Sequence, residues 1–118
     1  MLDITRGYGR AGAIIATVSI PGLLSGVLDN IVVASNLTPI VQELTAQLGS
    51  NVLAWALLFG SCFGGNLTIV AAAANVAASG MAARSGTPIG FMTFMRYGVP
   101  VTVVSLVLAT GYVMLRYV

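Results

Sequence analysis

Apolar residues run almost unbroken along this chain, and the polar positions that interrupt them are few and clustered. Residues 1–10 mix charged, polar and glycine positions and are read as a surface segment. Residues 11–28 are apolar, with Pro21-Gly22 as an expected kink, and Asp29-Asn30 then breaks the pattern. Residues 31–41 are apolar again and end in the polar cluster Gln42, Glu43, Thr45, Gln47 and Ser50. A second apolar run covers residues 52–83. It exceeds the roughly 20 residues that cross a bilayer, yet its centre carries Gly64, Gly65, Asn66 and Thr68. Glycines weaken a helix by roughly 1 kcal/mol each, and Asn and Thr favour cap positions, where their side chains bond free backbone N–H groups. The pattern therefore predicts two half-helices, residues 52–63 and 68–83, joined by an unwound segment. Turn residues at 84–88 predict a loop. Residues 89–97, which mix Phe, Met, Arg and Tyr, predict a short interfacial helix. Residues 98–117 predict a final transmembrane helix, with Tyr112, Arg116 and Tyr117 at its far interface.

Residues 11–48 allow two readings. One continuous helix over residues 11–41 would span about 46 Å, well beyond a hydrocarbon core of ~30 Å, and would bury Asp29 near its middle. A re-entrant hairpin with its tip at Leu28-Asp29-Asn30 instead returns both ends to one side and keeps the polar tip inside protein. The hairpin is preferred. A rival tip is Ser35-Asn36-Leu37-Thr38 ahead of Pro39, because proline suits the first turn of a helix. Asn36-Leu37-Thr38 and Asn66-Leu67-Thr68 both match the glycosylation pattern, but their apolar surroundings argue against that use.

Composition moves this picture firmly toward a membrane. The chain of 118 residues is 58% hydrophobic and 7% charged, against about 25% charged in a soluble domain. Its net charge of +2 is too sparse for a nucleic-acid surface. Without His and with Cys62 alone, neither a His/Cys metal site nor an intrachain disulfide can form, and Cys62 is read as a small packing residue. Arg6 and Arg10 ahead of an apolar stretch imitate a signal peptide, but the remaining chain is equally apolar, which a secreted protein would not be. The hairpin topology puts Arg6, Arg10 and Arg116 on one side and Arg84 and Arg96 on the other, a near balance that leaves orientation open.

Asp29 is the main candidate for chemistry. A charge at the bilayer centre costs about 2.5–3.5 kcal/mol on insertion scales, so an acid retained there is read as a proton or cation site. The plainer reading is a helix cap for the segment beginning at Ile31. Asn30, Asn66, Thr68 and Asn75 are neutral polar groups in apolar surroundings. They either meet a ligand or hydrogen-bond between helices, the latter worth about 0.6 kcal/mol on average. Helix N-termini follow both predicted breaks and favour an anionic or oxygen-rich ligand, whereas unwound carbonyls at Phe63, Gly64 and Gly65 would suit a cation. The spacing of Gly60 and Gly64, of Ser61 and Gly65, and of Ala71, Ala74, Ala78 and Ala82 points to close helix packing rather than chemistry.

The pairing of Leu28-Asp29-Asn30 with Gly64-Gly65-Asn66-Leu67-Thr68 and a later Ala74-Asn75-Val76 resembles the C-terminal half of the ion transporter superfamily. The likeness is nearest to its branch of arsenite pumps, sodium/proton antiporters and the melanosomal P protein, and it covers residues 22–117. The resemblance implies an all-α integral membrane fold of two inverted repeats, each with a re-entrant hairpin and a broken transmembrane helix around the transported ion. Carried over, it implies ion or substrate contacts from Asp29, Asn30, Gly64, Gly65, Asn66, Thr68 and Asn75, with a sodium site at Asp29, Asn30 and Asn66. Leu67 stands where the family usually has Gly, and Ala71 and Ala73 where Gly and Ser are common.

The chain supplies one repeat, read as a single half-domain over residues 1–118. The expectation is one half of a secondary transporter, of antiporter or anion-permease type, for a small inorganic or carboxylate ion such as arsenite or citrate. Coupling would be to protons or sodium, without another cofactor. The partners expected are the missing N-terminal repeat or a partner chain, membrane lipids, the small ion and further copies of the chain, with no nucleic acid; the location expected is the plasma (inner) membrane of a prokaryote. The alternative is a small non-transporting membrane subunit that packs against partner helices. An enzyme is disfavoured, because the chain has no His and no Lys, and Asp3 and Glu43 fall outside the expected core.

Overall fold

The computed structural model describes residues 2–117, with the side chains of residue 9 and residues 11–117; the side chains of Asp3, Arg6 and Arg10 lie outside the described residues. Among these residues the fold is all-helical. It comprises α1 (Leu2–Ser25), α2 (Asn30–Leu48), α3 (Val52–Gly64), a 3-10 turn (Ile69–Ala71), α4 (Ala73–Arg84) and α5 (Phe91–Tyr117).

The first two helices form a hairpin. The turn closes through Gly26 N–H to the Gly22 carbonyl (3.2 Å) and Leu28 N–H to the Leu24 carbonyl (2.8 Å). Asp29 then starts α2, its Oδ1 accepting the Ile31 N–H at 2.8 Å. The first helix is longer than the sequence suggests: it runs from Leu2, through Pro21, to Ser25. Residues 1–10 were expected to be a separate surface segment, but no helix breaker other than isolated glycines separates them from the apolar stretch. The rival tip at residues 35–38 is helix interior. Asn36 Nδ2 donates to the Val32 carbonyl (2.8 Å) and Thr38 Oγ1 to the Ala34 carbonyl (2.6 Å), so both side chains bond back one turn inside α2. At the far end Gly49 takes the left-handed conformation (φ 63°) and donates its N–H to the Thr45 carbonyl at 2.9 Å, a conformation glycine adopts without steric penalty.

The third helix is the centre of the molecule. Its buried positions, Val52, Leu53, Ala56, Leu57, Gly60, Ser61 and Gly64, recur at helical spacing and face the hairpin. They meet Ile14 and Val18 of α1, Val41 of α2 and Val113 of α5 in one core. Gly60 lies against the Val18 carbonyl and Gly64 against the Gly22 carbonyl, so close that a Cβ at either would collide with backbone. These matched positions show that α1 and α3 run parallel. They also bear out the packing role read from the spacing of Gly60 and Gly64. Phe59 stacks on Phe63 (5.9 Å) and meets the Tyr112 ring edge-on (6.1 Å). With Gly98 beside the Asn66 and Leu67 carbonyls, this sets α5 antiparallel to α3.

Two further expectations are corrected. The short helix at 89–97 and the last crossing are one continuous helix of 27 residues, α5. Pro100 lies inside it, where the lack of an N–H removes one helical hydrogen bond without ending the helix, and Gly98 lies against the chain at Asn66, where a side chain would collide. Cys62 is exposed rather than packed, because α3 turns its face of Val52, Ala56 and Gly60 inward and leaves Cys62 outside.

α5 alone among the described helices is long and apolar enough to cross a membrane, with α1 from Ala11 to Ser25 and α3 as shorter apolar helices. Large apolar side chains such as Leu23, Val27, Ile31, Met92 and Leu115 stand 67–90% exposed, which marks contact with lipid or protein rather than water.

Candidate functional site

The break after α3 is longer than the four-residue interruption at 64–67 that the sequence suggests. The second half-helix begins at Ala73, not Thr68, and the intervening residues 65–72 hold only the 3-10 turn. Thr68 (φ −132°, ψ 163°) and Ala72 (φ −148°, ψ 142°) are fully extended on either side of it. Neither Asn66 nor Thr68 caps a helix with its side chain; α4 starts at Ala72 with no side-chain cap. Sequence favoured Asn and Thr as caps, but Thr68 has a more distant partner that wins.

That partner is the hairpin tip. Thr68 Oγ1, buried, donates to the Gly26 carbonyl at 2.7 Å. One residue before Gly26, the buried Ser25 Oγ donates to the Ser61 carbonyl at 2.6 Å, which α3 leaves accessible beside Gly60 and Gly64. The Leu67 side chain closes over Gly26 between them. The tip of one element is thereby pinned to the break of the other. Ser25 and Gly26 were not singled out from sequence. Their signal is faint: a serine and a glycine in an apolar run, immediately ahead of the polar tip.

Asn75 folds back over the break. Its Nδ2 donates to the Gly65 carbonyl (2.7 Å) and the Thr68 carbonyl (3.0 Å). The Phe63 carbonyl receives the Asn66 N–H (3.1 Å) and the Gly64 carbonyl the Leu67 N–H (3.0 Å). The carbonyls of Phe63, Gly64 and Gly65, expected as a row facing a cation, are thus all engaged by donors of the chain itself.

The polar side chains that remain open are fewer. Asp29 uses one oxygen on its cap and is half-buried; Asn30 is half-buried and Asn66 exposed. Among the described residues the amides of Asn30 and Asn66 make no hydrogen bond, and no hydrogen bond joins Asp29 or Asn30 to the break. Asn66 borders an open groove of about 470 Å³ lined by Ile89, Thr93, Phe94, Tyr97 and Val101. No group of three or more His, Cys, Asp or Glu stands together among the described residues. The small residues of α4 were read as a second packing face. α4 itself instead has no buried residue; Ala74 and Ala78 are exposed and Ala82 half-buried, while Ala71, ahead of α4, is buried.

An uncharacterized transporter of Mycobacterium tuberculosis is 52% identical over 98 residues, covering 80% of this chain and 23% of the relative. A 46 kDa membrane protein of Mycobacterium leprae is 45% identical over 108 residues, covering 88% and 25%. The P protein of Homo sapiens is 36% identical over 110 residues, covering 90% and 13%. The chain spans about a quarter of the length of the mycobacterial relatives it matches. No protein-family profile matches it, and no solved structure does.

Proposed function

We infer that this chain, a segment of the ion transporter superfamily in its arsenite-pump, sodium/proton-antiporter and P-protein branch, is part of the C-terminal half of a secondary active transporter, of whose length it spans about a quarter. It is read as one of two inverted repeats, with α1 and α2 as a re-entrant hairpin and α3–α4 as a discontinuous helix. The ion is small, inorganic or carboxylate, and its movement is coupled to protons or sodium. Relatives named as transporters at 34–52% identity support the transporter role. The single observation that carries the mechanism is the pinning of the hairpin tip to the helix break by Thr68 and Gly26. Irregular backbone at membrane depth persists only inside protein or beside a water-filled cavity, and discontinuous helices are where transporters bind ions.

The candidate residues take different roles in this reading. Asp29, Asn30 and Asn66 face the ion, because their polar atoms are not all engaged. Gly64 lets backbone approach closely, and Gly65, at the end of α3, offers its carbonyl to Asn75. Thr68 and Asn75 shape the break. The chain is placed in the plasma membrane of a prokaryote, with the other repeat completing the cavity.

The test is reconstitution of the complete transporter polypeptide in liposomes, with oxyanion and carboxylate tracers and imposed proton or sodium gradients. Accumulation of a tracer that collapses with the gradient is expected. Failure of every tracer to accumulate under both gradients, with folded protein present, would overturn the reading.

A further inference from the structure

Thr68 occupies an unusual position among the polar residues of the break, because its hydroxyl and its carbonyl are both used and they point to different elements. Its hydroxyl donates to the Gly26 carbonyl at the hairpin tip, 2.7 Å away. Its own carbonyl accepts from Asn75 Nδ2 of α4 (3.0 Å) and from the Ala71 N–H of the 3-10 turn (3.3 Å). The Thr68 hydroxyl hydrogen is committed to the Gly26 carbonyl, and at 5% exposure the lone pairs of its oxygen are shut off from solvent and from any open cavity. The extended backbone at Thr68 aims the side chain and the carbonyl in different directions. A helical residue could not bridge the tip and the start of α4 in this way.

We propose that Thr68 is a positioning residue that couples the start of α4 to the hairpin tip, and not an ion ligand; the inference rests on the transporter reading above. Asn75 fixes the Thr68 carbonyl, the Thr68 hydroxyl fixes Gly26, and Asp29 lies three residues beyond Gly26 in the same turn. A displacement of α4 therefore reaches the tip through two hydrogen bonds in series. Leu67 supplies the apolar half of the joint, its side chain over Gly26 and its carbonyl beside Gly98. Ser25, bonded to the Ser61 carbonyl (2.6 Å), holds the α1 side of the tip independently, so loss of Thr68 loosens the turn without releasing the hairpin.

The decisive experiment is amide hydrogen exchange across the tip, residues 22–31, in the complete polypeptide without added substrate or coupling ion. Thr68→Val removes the hydroxyl at nearly constant shape and leaves the buried Gly26 carbonyl without its donor. Exchange at the tip should then rise about fivefold to tenfold, the ratio expected from one buried hydrogen bond. Thr68→Ser, which keeps the hydroxyl, should restore the wild-type rate, and residues 106–117 should be unaffected in both. In transport, Thr68→Val should raise the half-saturating ion concentration by a similar factor while the maximal rate changes less. Fewer molecules then hold the tip in its binding-competent form, and apparent affinity falls by that fraction. Unchanged tip exchange in Thr68→Val overturns the proposal whether or not transport is lost, as does Thr68→Ser behaving like Thr68→Val. If Thr68→Val does not assemble, Thr68→Cys takes its place, because a thiol is a weak donor; tip exchange must then fall between wild type and tenfold, and a wild-type rate overturns the proposal. Because exchange is read without ion, its outcome is independent of whether any tracer is transported.

Discussion

Gly64→Ala tests the close approach on which the tip and the break both depend. Alanine would ordinarily stabilise a helix interior by roughly 1 kcal/mol over glycine. At Gly64 the added methyl meets the Gly22 carbonyl, and at this position the obstacle is backbone rather than a side chain that could rotate away. Overpacking of this kind costs typically ~1–3 kcal/mol. Moving α1 aside also stretches the Ser25 to Ser61 bond, now 2.6 Å, whose loss costs about 1 kcal/mol. The penalties of about 2–4 kcal/mol exceed the propensity gain, and the net is a destabilisation of about 1–3 kcal/mol. Gly12→Ala is the control. Gly12 lies in α1 with nothing within 4 Å of the added Cβ, so only the propensity gain of roughly 0.5–1 kcal/mol remains. Equilibrium unfolding of the complete polypeptide in mixed micelles measures both. Opposite signs are expected. A Gly64→Ala protein as stable as wild type would mean that the helices do not touch at these glycines, and the close approach of α1 to α3 would have to be abandoned.

Asp29→Asn should leave stability within about 0.5 kcal/mol, because Asn and Asp cap about equally well, while abolishing ion-driven accumulation; accumulation near the wild-type rate would leave Asp29 as a cap and nothing more. Asn75→Leu removes two hydrogen bonds, to Gly65 and Thr68, and should speed amide exchange over residues 65–72 about tenfold or more; unchanged exchange there would show that Asn75 does not hold the break. Cysteines replacing Gly9 and Gln47 in a Cys62→Ser background should react with an impermeant thiol reagent from the same side of the membrane, and labelling from opposite sides would exclude the re-entrant hairpin. This chain alone in liposomes should give no coupled flux, and robust substrate-dependent flux would show that copies of it complete the cavity themselves.

What the sequence revealed of the fold was mostly its punctuation. The polar pair Asp29-Asn30 marked a turn between helices, and Gly64-Gly65-Asn66 marked the end of α3, because paired helix breakers inside a long apolar run stop the helix there. The spacing of Gly60 and Gly64 showed that another helix comes close. Its identity as α1 was hidden, since nothing in the chain pairs Gly60 with Val18 before the hairpin folds. The restart of the second half-helix was misplaced by five residues. Thr68 looks like a cap locally, and only the tertiary contact with Gly26 takes its hydroxyl elsewhere. The separate interfacial helix failed for a different reason: the mix of Phe, Met, Arg and Tyr at 89–97 set that stretch apart from the apolar residues after it, yet the helix runs on through Gly98 and Pro100 as α5, with Gly98 serving contact with the break.

The site was legible as a set of residues but not as a division of labour. A polar side chain in an apolar segment looks the same in sequence whether it ties backbone together or waits for a ligand. The difference is whether a free acceptor lies within reach, which is a property of the folded chain. Burial without a partner costs roughly 1–3 kcal/mol, and the enclosed hydroxyls beside the break each have one: Ser25 took Ser61, and Thr68 took Gly26, whereas Thr102 in α5 is buried without one. The half-buried Asn75 took Gly65 and Thr68. The side chains of Asn30, half-buried, and Asn66, exposed, have no such partner. Exposure to water would satisfy them, but their neighbours Ile31 and Val70 are exposed and apolar, which is the composition of a face that meets lipid or protein. Amides on such a face need partners from outside the chain, whether an ion, its water or the opposing repeat. That requirement, more than the identity of any one residue, is what makes the tip and the break the candidate site.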